Sequence, residues 1–280
     1  MSSTLLATLL ALTSALLHAS WNAAIKSGGD RLTSVAMVDV TALLVCAPAV
    51  PFTALPNARA WLFILISTVL CTAYRIFLVR AYQLGDFGLM YPLIRGVPPL
   101  AVAVISVLAL GQPLSAAAWG GVALISLGVI GLVLCDRLGA TRLAPVAFAV
   151  AAGLAVAGYT ASDAAGVHSG ASMASYGVYL FVAESVPMPA LALLVRKRAV
   201  LRHLRRDWKV GLFGGVNALL SYGLILWALS LGAAARVEAL RETSVLLAAG
   251  IGTLVFKEAF GRNRVICAAV VTTGILLVSI

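Results

Sequence analysis

Read for polarity alone, the chain repeats one unit: an apolar run of roughly 20 residues, the length that crosses a bilayer core, followed by a short polar connection. Such runs fall at about ten places, 5–25, 34–52, 61–79, 87–110, 116–134, 143–165, 174–195, 210–231, 233–256 and 265–280. Barrel strands are only about 10 residues long and alternate in polarity. These runs are apolar on nearly all faces, so the pattern predicts helices whose backbone groups are satisfied within each segment. The expected fold is an all-α membrane protein with ten transmembrane helices. Little chain remains for a soluble domain, so any chemistry lies within or beside the bilayer.

Composition strengthens this reading, since 62% of the residues are hydrophobic and 11% charged, far from soluble usage. Met1-Ser-Ser-Thr4 has no basic stretch and the run after it exceeds a signal-peptide core, so the first run is expected to be a mature helix. Cys46, Cys71, Cys135 and Cys267 lie in or beside separate runs without CxxC spacing and read as small buried hydrophobes.

Two polar landmarks interrupt the apolar pattern and are related to each other. Arg95 and Arg241 each sit well inside an apolar run, 146 residues apart in a 280-residue chain. A guanidinium facing hydrocarbon costs from about 3 kcal/mol on insertion scales to roughly 10 or more in simulations, so such a residue faces the bundle interior or a watery cavity. A shift of 147 lays Trp61 on Trp208, Leu65 on Leu212, Val69 on Val216, Ala81 on Ala228 and Gly85 on Gly232. A shift of 146 then lays Arg95 on Arg241 and Gly128 on Gly274, while 141 puts Asn22 on Asp163 and His18 on Tyr159. An intermediate shift of 145 pairs Asp39 with Glu184. The chain therefore reads as two five-helix repeats, 1–138 and 139–280. Five is odd, so the second repeat enters the membrane from the opposite face, the inverted layout that builds a central cavity in many secondary transporters.

These repeats, with the turns Gly111-Gln112-Pro113-Leu114 and Lys257-Glu258-Ala259-Phe260, resemble the drug/metabolite transporter superfamily, specifically its EamA-type members. The segments 17–22 (LHASWN), 91–96 (YPLIRG) and 239–245 (ALRETSV) resemble one bacterial subgroup. The resemblance implies a ten-helix fold with the third, fourth, eighth and ninth helices around a central cavity. It implies transport without naming a substrate, because relatives carry amino acids, sugars, nucleotide sugars, phosphorylated metabolites or toxic cations.

Basic residues set the expected orientation. Lys26, Arg31, Arg80, Arg137, Arg142, the cluster from Arg196 to Lys209, Lys257, Arg262 and Arg264 all follow odd-numbered runs. The positive-inside rule makes that face cytoplasmic and puts both termini outside, whereas many relatives are thought to keep their termini inside; the charges are followed here. The expected location is the cell membrane, as a multi-pass protein. A net charge of +10 invites a nucleic-acid reading, but a juxtamembrane cluster is explained by topology and anionic lipid, and no binding module fits.

The candidate site follows from helix spacing, since residues three and four apart share a face. Ser14, His18, Trp21, Asn22 and Lys26 form one stripe, and Tyr159, Ser162 and Asp163 form its counterpart. Tyr91 precedes Arg95 by one turn, while Pro92, Pro98 and Pro99 are expected to bend or break that helix. Glu238 and Glu242 flank Arg241, so Arg241 is expected to be engaged by acids and Arg95 to be the arginine that receives an anionic group. Two accounts of the charges stand: structural ion pairs, Arg241 with Glu238 and Arg95 with Asp163 or Glu184, or at least one arginine contacting substrate. The second is favoured by the duplication and the cost of burial.

The expected binding set is Arg95, Arg241, Tyr91, His18, Trp21, Asn22, Tyr159, Glu242 and Trp227, with Asp163 and then Glu238 as proton carriers. A buried carboxylate carries a proton only where desolvation outweighs a neighbouring guanidinium. Arg75 either snorkels to the basic face or enters the cavity, and Asp39 and Glu184 read as polar glue between helices. No HExxH, Walker loop or metal-spaced His/Cys cluster occurs, and His18, His168 and His203 are far apart, so neither enzyme activity, cofactor nor metal is expected. The expected function is secondary active export or exchange of a small anionic or zwitterionic metabolite, an amino acid or an organic or phosphorylated acid, by a monomer or homodimer. The alternative is a flippase or accessory subunit for a lipid-linked sugar, which needs a lateral opening for an acyl chain.

Overall fold

The protein, analysed as a computed structural model, is described for residues 3–26, 31–85, 87–134, 143–197, 199–247 and 262–279. The expected repeat boundary, Cys135, Arg137, Arg142 and the turn at 257–260 lie outside these residues. The described chain is all-helical: α1 Ser3–Lys26, α2 Arg31–Cys46, α3 Ala58–Leu84, α4 Phe87–Leu108, α5 Ala116–Leu134 and α6 Leu143–Gly166. Then follow α7 Met173–Glu184, α8 Pro187–Arg196, α9 Ala199–Leu231, α10 Ala234–Arg241 and α11 Arg262–Ser279. Among the described residues, six helical stretches are long and apolar enough to cross a membrane, and three shorter apolar helices lie within α4, α5 and α11.

Local chemistry sets the boundaries. Asn57 caps α3 by accepting from the Ala60 amide at 2.8 Å, and Ser172 caps α7 by accepting from the Ser175 amide at 3.1 Å. The Gln112 side chain accepts from the Ala234 amide at 3.1 Å, so the turn after α4 caps α10 across the bundle. The second run continues past α2 as a 3-10 turn, Ala47–Phe52, that contains Pro48 and Pro51.

Two expectations are corrected. The run at 174–195 is one apolar stretch but two helices: α7 ends at Glu184 and α8 begins at Pro187, because Pro187 and Pro189 lack the amide donors that would bond back across the junction. Conversely, α4 runs unbroken through Pro92, Pro98 and Pro99. A membrane helix tolerates proline where neighbouring helices cover the freed backbone, and α4 is packed against α5, α6 and α10.

The helices pair reciprocally. α3 lies along α6 as α9 lies along α1; α4 rests on α6 as α10 rests on α1; α2 meets α9 as α7 meets α3. α5 against α11 and α4 against α10 are contacts between counterparts. At the α5–α11 seam a Cβ on Gly121 would stand 2.6 Å from the Gly274 carbonyl, and a Cβ on Gly274 would stand 2.6 Å from that of Gly121. Backbone this close requires glycine on both sides. Gly121→Ala is therefore expected to lower stability in thermal melts of the detergent-solubilised protein by about 1–3 kcal/mol. Gly120→Ala, where the added methyl meets nothing within 4 Å, should be neutral or stabilising, since glycine inside a helix costs about 0.5–1 kcal/mol relative to alanine.

Candidate functional site

A cavity of ≈ 100 Å³ opens among α1, α2, α3, α6, α7, α9 and α10. It is lined by the C-terminal halves of α1 and α3, the middle of α2 and the end of α7, together with Tyr159 of α6, the second half of α9 and the end of α10. Its charged lining is Arg241, Arg75, Asp39 and Glu184, with His18 as the titratable neighbour. Aromatic rings form much of the wall: Tyr159 lies edge-on to Tyr74 at 6.0 Å and to Tyr222 at 5.8 Å, and Phe181 meets Tyr222 at 6.2 Å.

Arg95 and Arg241 meet different acids, and one of the two lines the cavity. Arg95 Nη2 lies 2.8 Å from Glu242 Oε1 with both side chains buried, and 3.5 Å from Ser244 Oγ. Arg95 is absent from the cavity lining. Arg241 does line the cavity; its Nη1 is 3.5 Å from Glu238 Oε2, and its guanidinium carbon lies 5.5 Å from the Tyr222 ring centroid. Its Nε and Glu238 Oε1 have no hydrogen-bond partner among the described residues. The difference in partners is angular: Glu242 follows Arg241 by one residue, about 100° round the helix, so it points to α4 rather than back at its neighbour.

The acids expected to face Arg95 are held elsewhere. Asp163, fully buried on α6, accepts from Tyr176 Oη at 2.8 Å and from the Tyr222 hydroxyl. Glu184 Oε1 accepts from Ser67 Oγ at 3.3 Å. Arg75 enters the cavity and does not snorkel: its Nη1 donates to Asp39 Oδ2 at 2.8 Å and to the Glu184 backbone carbonyl at 3.1 Å. Arg75, Asp39 and Glu184 are the residues that sequence reasoning undervalued. The shift of 145 that pairs Asp39 with Glu184 was their signal, and both now meet the same guanidinium.

Of the remaining expected residues, His18, Trp21 and Tyr159 line the cavity, His18 accepting from Trp21 Nε1 at 3.3 Å. Ser14 and Ser221 join α1 to α9 behind them, Oγ to Oγ at 3.0 Å. The side chains of Tyr91 and Asn22 lie outside the described residues. Trp227 is 42% exposed and does not line this cavity. No group of three or more His, Cys, Asp or Glu among the described residues could hold a metal.

A second, larger cavity of ≈ 540 Å³ lies at the other end of α3. Phe63 and Ile66 of α3, Ile105 near the end of α4 and Gly158 of α6 contribute apolar walls, with Arg59 and His168 also lining it. Along α3 the two spaces are separated only by residues 67–70, since Ile66 belongs to this crevice and Cys71 to the first cavity. That interval is about 7.5 Å of helical rise.

Comparison with known proteins agrees with this architecture. No curated protein matches the chain. A solved crystal structure superposes with a TM-score of 0.76 over 97% of this chain and 95% of its own at 15% identity, which shows a shared fold. The pattern described as the EamA-like transporter family matches twice, over residues 5–134 and 143–280. Members of that family are transporters, and the match together with the apolar helices makes this a multi-pass membrane protein. The chain belongs to the EamA-like transporter family, within the drug/metabolite transporter superfamily.

Proposed function

We propose that this protein is a secondary active transporter that moves a small anionic or zwitterionic metabolite across the cell membrane by alternating access, as an exporter or exchanger. The observation that carries the reading is the placement of two guanidinium groups, Arg241 and Arg75, in one ≈ 100 Å³ aromatic-walled cavity. Arg241 places a guanidinium in the cavity wall, and its planar fork suits a carboxylate or phosphate. The Arg75–Asp39 pair across the cavity offers both signs of charge, which suits a zwitterion. His18, Trp21 and Tyr159 complete the lining, with Tyr91 and Asn22 retained from the helix stripes.

The reciprocal helix pairing supports two inverted five-helix repeats, 1–138 and 139–280, and ten spans. By the positive-inside rule the loops after the odd-numbered spans are cytoplasmic, so the arginine cavity faces the cytoplasm and the crevice faces out. Rocking one repeat against the other closes the first and opens the second around a fixed centre.

A second reading has one observation in its favour: the apolar crevice between α3, α4 and α6 has room for an acyl chain, as a flippase or accessory subunit for a lipid-linked sugar requires. Reconstitution separates the two. Proteoliposomes are expected to take up a soluble carboxylate or phosphate ester; translocation of lipid head groups with no uptake of soluble solute would replace the first reading by the second.

A further inference from the structure

Among the described residues, the charges inside the bundle do not balance. Asp39, Asp163, Glu184, Glu238 and Glu242 are buried acids, and the cations set among them are Arg75, Arg95 and Arg241. A carboxylate without a cation is costly in an apolar interior, so the surplus of acids marks a place where positive charge is taken up.

Elimination locates that place. Asp39 has Arg75 at 2.8 Å, Glu242 has Arg95 at 2.8 Å and Glu238 has Arg241 at 3.5 Å. Asp163 accepts from the phenols of Tyr176 and Tyr222 and does not line the arginine cavity. Glu184 does line it, although only 5% of the residue is exposed. The one hydrogen bond to its carboxylate among the described residues comes from a neutral group, the Ser67 hydroxyl, 3.3 Å from Oε1. Oε2 is left without a donor. Arg75 meets Glu184 at the backbone carbonyl, 3.1 Å away, and its guanidinium is taken by Asp39.

The aromatic wall relates this acid to Arg241. Phe181 precedes Glu184 by three residues on α7, so the two share a face, and both line the cavity. The Phe181 ring lies 6.2 Å from the Tyr222 ring, which in turn lies 5.5 Å from the Arg241 guanidinium carbon. Acid and arginine thus stand on either side of one pair of rings.

We propose, resting on the transport reading above, that Glu184 receives an ammonium group of the substrate while Arg241 receives its acidic group, so that the substrate class is an organic acid carrying a protonated amine. The ammonium supplies the positive charge that Glu184 lacks, and the rings between the two groups favour a cation over their faces. Asp39 already has its cation, which leaves Glu184 as the acid with room for one.

The test is a thermal-shift series on the purified full-length protein at neutral pH. The standard amino acids and phosphoethanolamine are each compared with the analogue in which hydroxyl replaces the amine, which keeps acid and shape and loses the positive charge. Amino acid methyl esters, which keep the amine and lose the acid, are run beside them. At least one amine-bearing acid is expected to stabilise the wild type with an apparent Kd about 30-fold or more below that of its hydroxy analogue, and Glu184→Gln is expected to abolish that preference. Glutamine keeps the acceptor for Ser67 Oγ and removes only the charge, so a residue that merely joined helices would leave the preference unchanged. No stabilisation by any amine-bearing compound, hydroxy analogues that match their parents, or a preference that survives Glu184→Gln overturns the proposal. Should Glu184→Gln not fold, Glu184→Asp decides: the withdrawn carboxylate is expected to weaken the preference, and an undiminished one overturns the proposal. The two readings fail separately. Hydroxy acids that stabilise as well as amino acids remove the ammonium site and leave the anion site, whereas methyl esters that stabilise the wild type and not Glu184→Gln keep the ammonium site even where no acid depends on Arg241.

Discussion

Arg241→Ala is expected to abolish transport of the anionic substrate while the chain still inserts and folds. The guanidinium lines the cavity, with Tyr222 on one side and Glu238 at 3.5 Å on another. Truncating one partner of a buried charge contact costs about 2–5 kcal/mol, or roughly 30- to 4000-fold in affinity. Glu238 is fully buried, so the single variant also leaves an acid without its cation. Arg241→Ala combined with Glu238→Gln removes that complication: thermal stability should recover and substrate binding should not. Arg241→Lys keeps the charge without the planar fork and should weaken binding less than alanine does. Transport at the wild-type rate in Arg241→Ala proteoliposomes would place the substrate site elsewhere.

Arg95→Ala is expected to act on the fold. Its ion pair with Glu242 at 2.8 Å joins α4 to the end of α10, with both side chains almost wholly buried. Removing the arginine leaves Glu242 buried and uncompensated, and breaking one partner of such a pair costs about 3–5 kcal/mol. The sequence favours Arg95 over Arg241 as the arginine that receives an anionic group. The structure separates them. A double replacement, Arg95→Leu with Glu242→Leu, should recover most of the lost stability, because apolar residues of similar volume often replace a buried pair at no net cost. Unfolding midpoints of the two singles and the double form a mutant cycle; a coupling near zero would mean that the pair does not hold these helices together.

The class of fold was legible because hydrocarbon imposes long apolar runs that a soluble chain does not need. The runs at 116–134 and 143–165 fall within one residue of α5 and α6. The prolines were harder to read. Pro187 opens α8 just after α7 ends, whereas Pro98 sits inside α4, a contrast that spacing along one helix does not reveal. The site was legible as a set of polar positions but not as a set of pairs. Helix periodicity places Glu238 and Glu242 on one face of α10, yet the choice of Arg95 over Arg241 as the partner of Glu242 depends on how α4 lies against α10. Arg75, Asp39 and Glu184 come from three different helices and meet only after folding, so the weak register between Asp39 and Glu184 was their single trace.

The shared involvement of Tyr222 gives the account its mechanical content. Its ring lies 5.5 Å from the Arg241 guanidinium carbon while its hydroxyl donates to Asp163, so one side chain touches both charged groups.

The central claim is that the arginine cavity binds an anionic group through Arg241. It is tested most directly by a thermal-shift screen of the purified protein against amino acids, organic acids, phosphorylated metabolites and organic cations, run in parallel on wild type and on Arg241→Ala with Glu238→Gln. A ligand that binds the folded state raises apparent stability, by about 2.7 kcal/mol at a concentration 100 times its Kd. The account predicts stabilisation of the wild type by carboxylates or phosphates that is lost in the double variant; stabilisation by organic cations alone, or anion stabilisation that persists without Arg241, would contradict it.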